Sequence, residues 1–402
     1  MIAREIGKPL GNLPPASVEK LMSRYLALIV VALCSPAAAG EALPVAVPAA
    51  PEPKALSLGA SYVIDLSFAS SSRGGARRLD RFDLTGEANL GRVGCGSCRA
   101  FVRLLGNSGG KPNDGAGTLQ GINNIEVPKD GLRLFEAWVE RDIGRGSVRA
   151  GAYDLNSEFY ATEGSALLLA PAFGIGSELA ATGPNGPSIF PYSALAVRGE
   201  ARLGRTGLIR AAVVNAAAGT LTDRGGVDFS LRDGVLAIVE GGSAGSGGKL
   251  VAGLWSYSRR QPVRDEATDG RRRAMGAYLL GERKIGEWTT AFVRAGVSDG
   301  RTSSFKGGWQ AGVHRSPAWF GSKDSEVALG LSQAFLSGGE RRSIAAGGER
   351  PAVSEAGVEL SFRDRLFGPV TVQPSLQLVR HPGGLADAQP LLIGTVRFGW
   401  SL

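Results

Sequence analysis

Charged and aromatic side chains recur at every second position in two stretches of this chain. Glu136, Trp138 and Glu140 alternate with Phe135, Ala137 and Val139, and Arg198, Glu200 and Arg202 alternate with Val197, Ala201 and Leu203, with Leu195 in the same apolar phase. On extended backbone this spacing puts carboxylates and guanidinium groups on one face and apolar groups on the other. Such a set offers strong, paired hydrogen bonds to water and polar solutes rather than a nucleophile with its base. The chain holds two histidines, His314 and His381, and neither lies beside a motif such as G-x-S-x-G. No catalytic residue, metal ligand set or cofactor is expected. The glycines of Gly241–Gly248 fall in a turn with no helix following, so they make no phosphate cradle. The formal net charge is +8, and it falls to +6 if residues 1–39 are removed. Nucleic-acid binding would call for arginines clustered with aromatic platforms. Here they stand singly at strand positions, as wall charges around water would. Cys95 and Cys98, in Gly94-Cys95-Gly96-Ser97-Cys98, suit a local disulfide stapling a turn in an oxidising compartment. A redox site would need a βα setting, and a zinc site a second ligand pair.

The elements that must carry these groups are strands. From Leu58 onward the chain divides into alternating segments separated by turn residues. The expected strands are 58–69, 77–91, 97–106, 131–142, 146–154, 191–204, 206–215, 230–241, 248–258, 273–285, 287–297, 308–316, 324–335, 353–364, 369–380 and 389–402. The last one alternates without error: Val396, Phe398, Trp400 and Leu402 against Thr395, Arg397, Gly399 and Ser401. In 353–364, Ala356, Val358, Leu360 and Phe362 oppose Glu355, Gly357, Glu359 and Ser361. In 369–380, Val370, Val372, Leu376 and Leu378 oppose Thr371, Gln373, Ser375 and Gln377, with Pro374 on the apolar face as an expected local bulge. Connections alternate between tight (143–145, 205, 286, 365–368) and long (107–130, 155–190, 259–272, 336–352). Short turns at one end and long loops at the other describe a transmembrane antiparallel β-barrel of about 16 strands. Trp255, Tyr257, Trp288 and Trp400 lie near strand ends, where interfacial aromatic girdles are expected. Fifty-nine glycines and near-neutral mean hydropathy fit a barrel, because polar lumen residues dilute the apolar ones.

Residues 1–39 read as a secretory leader: Arg24, the apolar run Tyr25–Cys34, then Ser35-Pro36-Ala37-Ala38-Ala39 as a cleavage site, with Met22 as an alternative start. Residues 40–57 are a Pro/Ala-rich lead-in, and 58–402 form the barrel. No apolar run is long enough for a transmembrane helix. Export then leaves the outer membrane of a Gram-negative bacterium, with a secreted β-rich binding protein as the remote alternative.

The segment 155–190 is thirty-six residues long and carries no strand pattern, yet it holds Phe159, Tyr160, Leu167, Leu168, Leu169, Phe173, Ile175 and Phe190. Loops of this length are usually functional, and one this apolar must pack somewhere. The interior of a wide barrel is the available place, where it would narrow a hole into a filter.

Gly121-Ile122-Asn123-Asn124-Ile125-Glu126, Arg133-Leu134-Phe135-Glu136-Ala137-Trp138-Val139-Glu140, Val148 through Phe159 (VRAGAYDLNSEF) and Phe190-Pro191-Tyr192-Ser193-Ala194-Leu195-Ala196-Val197-Arg198 together resemble the OprB-type carbohydrate-selective porins. The resemblance spans about 80 residues in matching order. It departs at Ala152, where the family often has a basic residue, and at Leu402, where Phe is commoner. It implies facilitated diffusion of small hydrophilic solutes, most of all sugars. The residues expected to line the pore and bind solute are Glu136, Trp138, Glu140, Arg149, Asp154, Glu158, Phe159, Tyr160, Arg198, Glu200, Arg202, Arg294 and Arg397, with Trp138, Phe159 and Tyr160 as stacking rings. Expected partners are sugars and outer-membrane lipid, with a monomer or a homotrimer as the assembly. The alternative is a general or anion-preferring porin, which the arginine excess would favour.

Overall fold

The computed structural model describes residues 55–71, 75–219, 229–264, 270–319 and 321–402. The expected leader, and the lead-in up to residue 54, lie outside them. Among the described residues sixteen antiparallel strands close into one barrel: β1 (Leu56–Ala69), β2 (Ala76–Asn89), β3 (Cys98–Gly109), β4 (Gly131–Ile143), β5 (Gly146–Tyr153), β6 (Ala194–Leu203), β7 (Gly207–Asn215), β8 (Val235–Gly245), β9 (Gly248–Pro262), β10 (Arg271–Ile285), β11 (Thr289–Ser298), β12 (Phe305–Arg315), β13 (Glu326–Leu336), β14 (Ser354–Phe367), β15 (Val370–Arg380) and β16 (Leu391–Ser401). Each strand pairs with its neighbours in sequence, and β16 closes on β1 from Ser61↔Ser401 to Ala69↔Ile393. Closure satisfies every strand's backbone polar groups without a free edge, which a lipid-embedded sheet requires.

Period-2 alternation sets which residues meet lipid. On β7, Ile209 and Val213 are exposed on the outside while Leu208, Arg210, Ala212 and Val214 are buried within. β16 pairs with β15 through Val396↔Pro374, and the register is the same on both sides of Pro374. The expected bulge is therefore absent there. Pro374 points outward, and the β14–β15 irregularity falls between Arg365 and Phe367 instead. Another irregularity, at Arg103/Leu104 in the β3–β4 ladder, does alter the reading of β4. Phe135 was expected to face lipid. It is 1% exposed and packs edge-on against Phe190, with the Arg103 guanidinium 5.3 Å from its ring centre. The extra residue turns both Phe135 and Glu136 inward.

Trp255 and Tyr257 also depart from expectation. Both are buried in the barrel's largest apolar cluster, and Tyr257 shares a 3.0 Å hydroxyl contact with Thr182, so neither belongs to an interfacial girdle. Trp288 is half exposed between β10 and β11.

Tight connections at one end (144–145, 204–206, 246–247, 286–288, 368–369) face long ones at the other (110–130, 154–193, 337–353). Two of the long connections fold inward. Ile122, Ile125 and Val127 of the first, and Phe159, Tyr160, Leu167, Leu168, Leu169, Phe173 and Ile175 of the second, are buried.

Candidate functional site

The wall holds the inserted segments mainly by their backbone. Glu355 on β14 accepts the amides of Leu119, Gln120 and Gly383 at 2.9–3.1 Å. Glu359, four residues further along the same face of the strand, accepts those of Leu169 and Ala170 at 2.6 and 2.8 Å. Glu240 takes the Tyr160 amide at 3.1 Å and Glu282 that of Gly164 at 2.7 Å. Gln373 and Gln377 on β15 donate to the carbonyls of Leu167 and Ile122. A charge-assisted bond to an amide is among the stronger hydrogen bonds, and each also satisfies a backbone donor that burial would otherwise strand.

Arg294 completes this anchoring. Its guanidinium donates to the carbonyls of Tyr160, Gly174 and Ala172 at 2.9–3.1 Å and to Gln310 at 3.0 Å. It is 1% exposed, so its expected place on the water-lined surface is corrected: it is a clamp on the loop. The same holds for Tyr160 and Phe159. Tyr160 stacks on Tyr278 with ring centres 4.0 Å apart, and Phe159 is wholly covered with Arg210 above it. Neither ring offers a free face to a solute. Arg397 makes two bonds to Asp65 at 2.7 and 2.8 Å and one to Asn124, so it ties the first inserted segment to β1 and β16.

The remaining expected residues gather on β4 to β7. Arg149 donates to Glu140 at 2.5–2.8 Å, Arg198 to Glu158 at 2.5–2.8 Å, and Arg210 to Glu200 at 2.6–2.9 Å. Cross contacts of 3.5–4.0 Å (Arg198 to Glu140, Arg149 and Arg210 to Glu158) join these pairs into one network. Glu158 sits at its centre from the loop, 16% exposed at the side chain, and also accepts from the Tyr153 hydroxyl. Burial would raise its carboxyl, but the Arg198 bond and the charges of Arg149 and Arg210 outweigh it and hold the group below the ordinary range. Trp138 stacks on Phe101 at 5.0 Å and carries the Arg149 guanidinium 3.8 Å from its ring centre, so its ring is also engaged. Glu136 reaches the Asp154 amide and the Trp138 indole, both at 3.3 Å. Asp154 caps the turn at Asn156, and burial, with the Glu136 charge beside it, pushes its carboxyl up to about 7. Arg202 lies at the short-turn end, mostly exposed, bonded to Glu200 at 3.1 Å.

Sequence reasoning missed four arginines that extend the network. Arg99 on β3 lies 3.3 Å from Glu140 and 3.7 Å from Glu87. Arg103 on β3 bonds Asp83 at 2.6–2.7 Å and lies 3.6 Å from Glu136. Arg81 on β2 bonds Asp83 at 2.8 Å. Arg210 stands on β7. The signal for β2 was present, because Phe82 and Leu84 alternate with Arg81 and Asp83. On β7, apolar residues flank Arg210 on both faces and period 2 is hidden. The arrangement places Arg81, Arg99, Arg103, Arg149, Arg198 and Arg210 against Asp83, Glu87, Glu136, Glu140, Glu158 and Glu200, six cations with six anions in a band along the wall. Beside it, toward the short turns, a cavity of about 540 Å³ opens between Glu158, Arg210, Lys249, Glu282 and Lys284. Cys95 and Cys98 form a disulfide that joins the β2–β3 connection to the first residue of β3. Among the described residues no group of three or more potential ligands is placed to hold a metal.

A sequence profile described as "Carbohydrate-selective porin, OprB family" matches residues 73–402. The chain belongs to the OprB family. It is an outer-membrane porin for carbohydrates in a Gram-negative envelope. In structure this porin is similar to OprB of Pseudomonas putida in its high-pH form, at TM-score 0.76 and 16% identity over 87% of this chain and 94% of that one. The low-pH form of the same protein gives 0.55 at 13% identity over 87% and 93%. OmpT of Vibrio cholerae, an outer-membrane protein described in trimer form, gives 0.52 at 9% identity over 86% and 99%. At these identities the likenesses speak to the fold. No functionally curated protein sequence matches this porin.

Proposed function

We propose that solute selection takes place at the band of paired charges between β2 and β7, with segment 154–193 as the constriction opposite it. The observation that carries this reading is Glu158. A loop carboxylate inserts among Arg149, Arg198 and Arg210 of the wall, so the loop and the barrel contribute to one polar surface. Alternating guanidinium and carboxylate groups supply donors and acceptors together, which suits a neutral molecule rich in hydroxyls better than an ion. Each bond lost from water can be replaced without net charge on the solute. Binding need only be weak, since conduction requires exit as well as entry. His314 bonds Glu326 at 3.1 Å on β12 and β13, away from the band, as a wall pair, which supports reading the barrel as a passage.

Liposome swelling with neutral mono- and disaccharides against charged solutes of similar size tests this. Faster entry of the neutral sugars is expected, and equal rates at equal size would reject selectivity. A second reading, a general or anion-preferring pore, draws support from the basic residues at the cavity beneath the loop, Arg210, Lys249 and Lys284. A reversal potential near zero in a salt gradient across a planar bilayer is expected for the sugar filter, and a strongly anion-selective one for its rival.

A further inference from the structure

The long-loop ends of β9 and β10 carry arginines that the lumen chemistry does not use. Arg273 stands directly opposite Arg260 in the ladder, and Arg271 opposite Pro262. By residue count these arginines keep the outward phase of their strands, Arg260 after Leu250 and Leu254 and Arg271 and Arg273 before Met275 and Leu279, across a register irregularity that falls between Arg273 and Met275. Leu254 is 61% and Leu279 56% exposed on the lipid side. The Nε and Nη2 of Arg271 donate to the Arg260 carbonyl at 3.2 and 3.0 Å, which holds the Arg271 guanidinium beside the Arg260 backbone. Like charges directly opposite one another on a sheet face repel.

A cavity of about 970 Å³ opens over this cluster. It is bordered by Arg260, Arg271, Arg272, Arg273 and Arg301, with no carboxylate among its described lining residues. Asp265, Glu266 and Asp269, in the β9–β10 connection, lie outside the described residues; the described carboxylates nearby are engaged elsewhere. Asp299 accepts from the Arg301 amide and the Thr302 hydroxyl within its own turn, and Glu340 holds Arg264 at 2.6 Å.

We propose that this rim binds the phosphate groups of the phosphorylated glycolipid in the outer leaflet, lipopolysaccharide. The position favours a lipid source over a dissolved anion. Arginines immediately above exposed Met275, Leu254 and Leu279 sit where acyl chains give way to headgroups, so one molecule meets both surfaces. Guanidinium groups pair with phosphate through two parallel hydrogen bonds, and a dianion between Arg260 and Arg273 relieves their repulsion. The assignment rests on the long loops facing the exterior and not on which solute the pore passes.

The test uses the full chain in detergent, with immobilised lipopolysaccharide, the same lipid after phosphatase treatment, and pyrophosphate as a soluble competitor. The triple variant Arg260→Gln, Arg271→Gln, Arg273→Gln should bind lipopolysaccharide at least about tenfold more weakly, the scale of losing one or more charged hydrogen bonds. The wild type should show a similar loss on the phosphatase-treated lipid, a measurement that needs no variant to fold. The corresponding triple Lys variant, which keeps the charge but not the paired hydrogen bonds, should bind between the wild type and the Gln variant, and sugar-driven liposome swelling should be unchanged in all three proteins. Equal wild-type binding to treated and untreated lipid would overturn the proposal, as would full-strength binding by the Gln variant. Pyrophosphate binding as tight as lipopolysaccharide would overturn the lipid assignment in favour of a soluble anion. Absence of sugar flux in the wild type would reject the filter and leave the rim result standing.

Discussion

The two sides of the lumen use the same side chains for different ends. On β2 to β7, inward carboxylates face inward guanidinium groups, and the resulting band keeps edges accessible to water, with Arg103 23% and Glu158 16% exposed at the side chain. On β8 to β16, Glu282, Glu355 and Glu359 face backbone amides of the inserted segments, and Arg294 faces their carbonyls; Glu240, which takes the Tyr160 amide and also lies 3.6 Å from Arg210 and 3.7 Å from Lys249, joins the two sides. A wall glutamate opposite an arginine stays part of a polar surface, whereas one opposite a loop amide becomes an anchor. Residue type and inward phase are identical in the two cases. The partner decides the role.

Breaking the anchored side should have the larger effects. Excising most of 161–185 and rejoining the ends with a short linker should raise single-channel conductance severalfold; unchanged conductance in planar bilayers would show that the segment does not limit the passage. Arg294→Met should release it without deletion. Two buried carbonyls, those of Tyr160 and Ala172, lose their donor, a cost of roughly 2 kcal/mol or more, so conductance should rise and protease should cut within 155–190 while the barrel stays intact on heat-modifiability gels. On the open side the barrel should be indifferent and the solute sensitive. Glu158→Gln keeps the shape but removes the charge that joins three arginines. We expect the half-saturating sugar concentration to rise about tenfold, as for loss of a charged hydrogen bond, and anion selectivity to increase; unchanged sugar saturation would remove Glu158 from the site.

The smallest expected effect concerns pH. Glu178, on the short helix Ser177–Ala180 within the loop, is fully buried, and burial pushes its carboxyl up to about 7, with the Arg294 charge opposing. A folded-state value above that of the unfolded chain means that ionisation disfavours the packed loop. The cost is absent below the unfolded carboxylate range, grows as pH rises toward 7 and is complete above it. Protection of segment 155–190 in hydrogen exchange, corrected for intrinsic rates, should therefore be greater at pH 6 than at pH 8. Glu178→Gln should reduce that difference and leave the part owed to Asp154, whose carboxyl is raised in the same sense; an undiminished difference in the variant would assign the effect to another group.

Strand existence was legible because period 2 survives even where composition is mixed: all sixteen segments appear, with ends displaced by a few residues, as at Leu56 and at Val235. Register was legible on β6, where Val197 and Arg198 separate cleanly, and failed on β4, where one extra residue put Phe135 beside Glu136 on the inside. The inward fold of 155–190 followed from its apolar content. That of 110–130 did not, since Ile122, Ile125 and Val127 are too few to stand out in a polar segment. Partner choice was not legible at all. Arg294 and Arg198 look alike in sequence, and only the closed ring reveals that one meets loop carbonyls and the other Glu158.

The wall takes hold of the inserted segments largely at peptide groups, which every residue except proline carries in full. Side chains on those segments can therefore be exchanged with little disturbance to how they are tethered. An aperture built this way can be recut for a different cargo by rewriting the insert, while the cylinder around it is left as it stands.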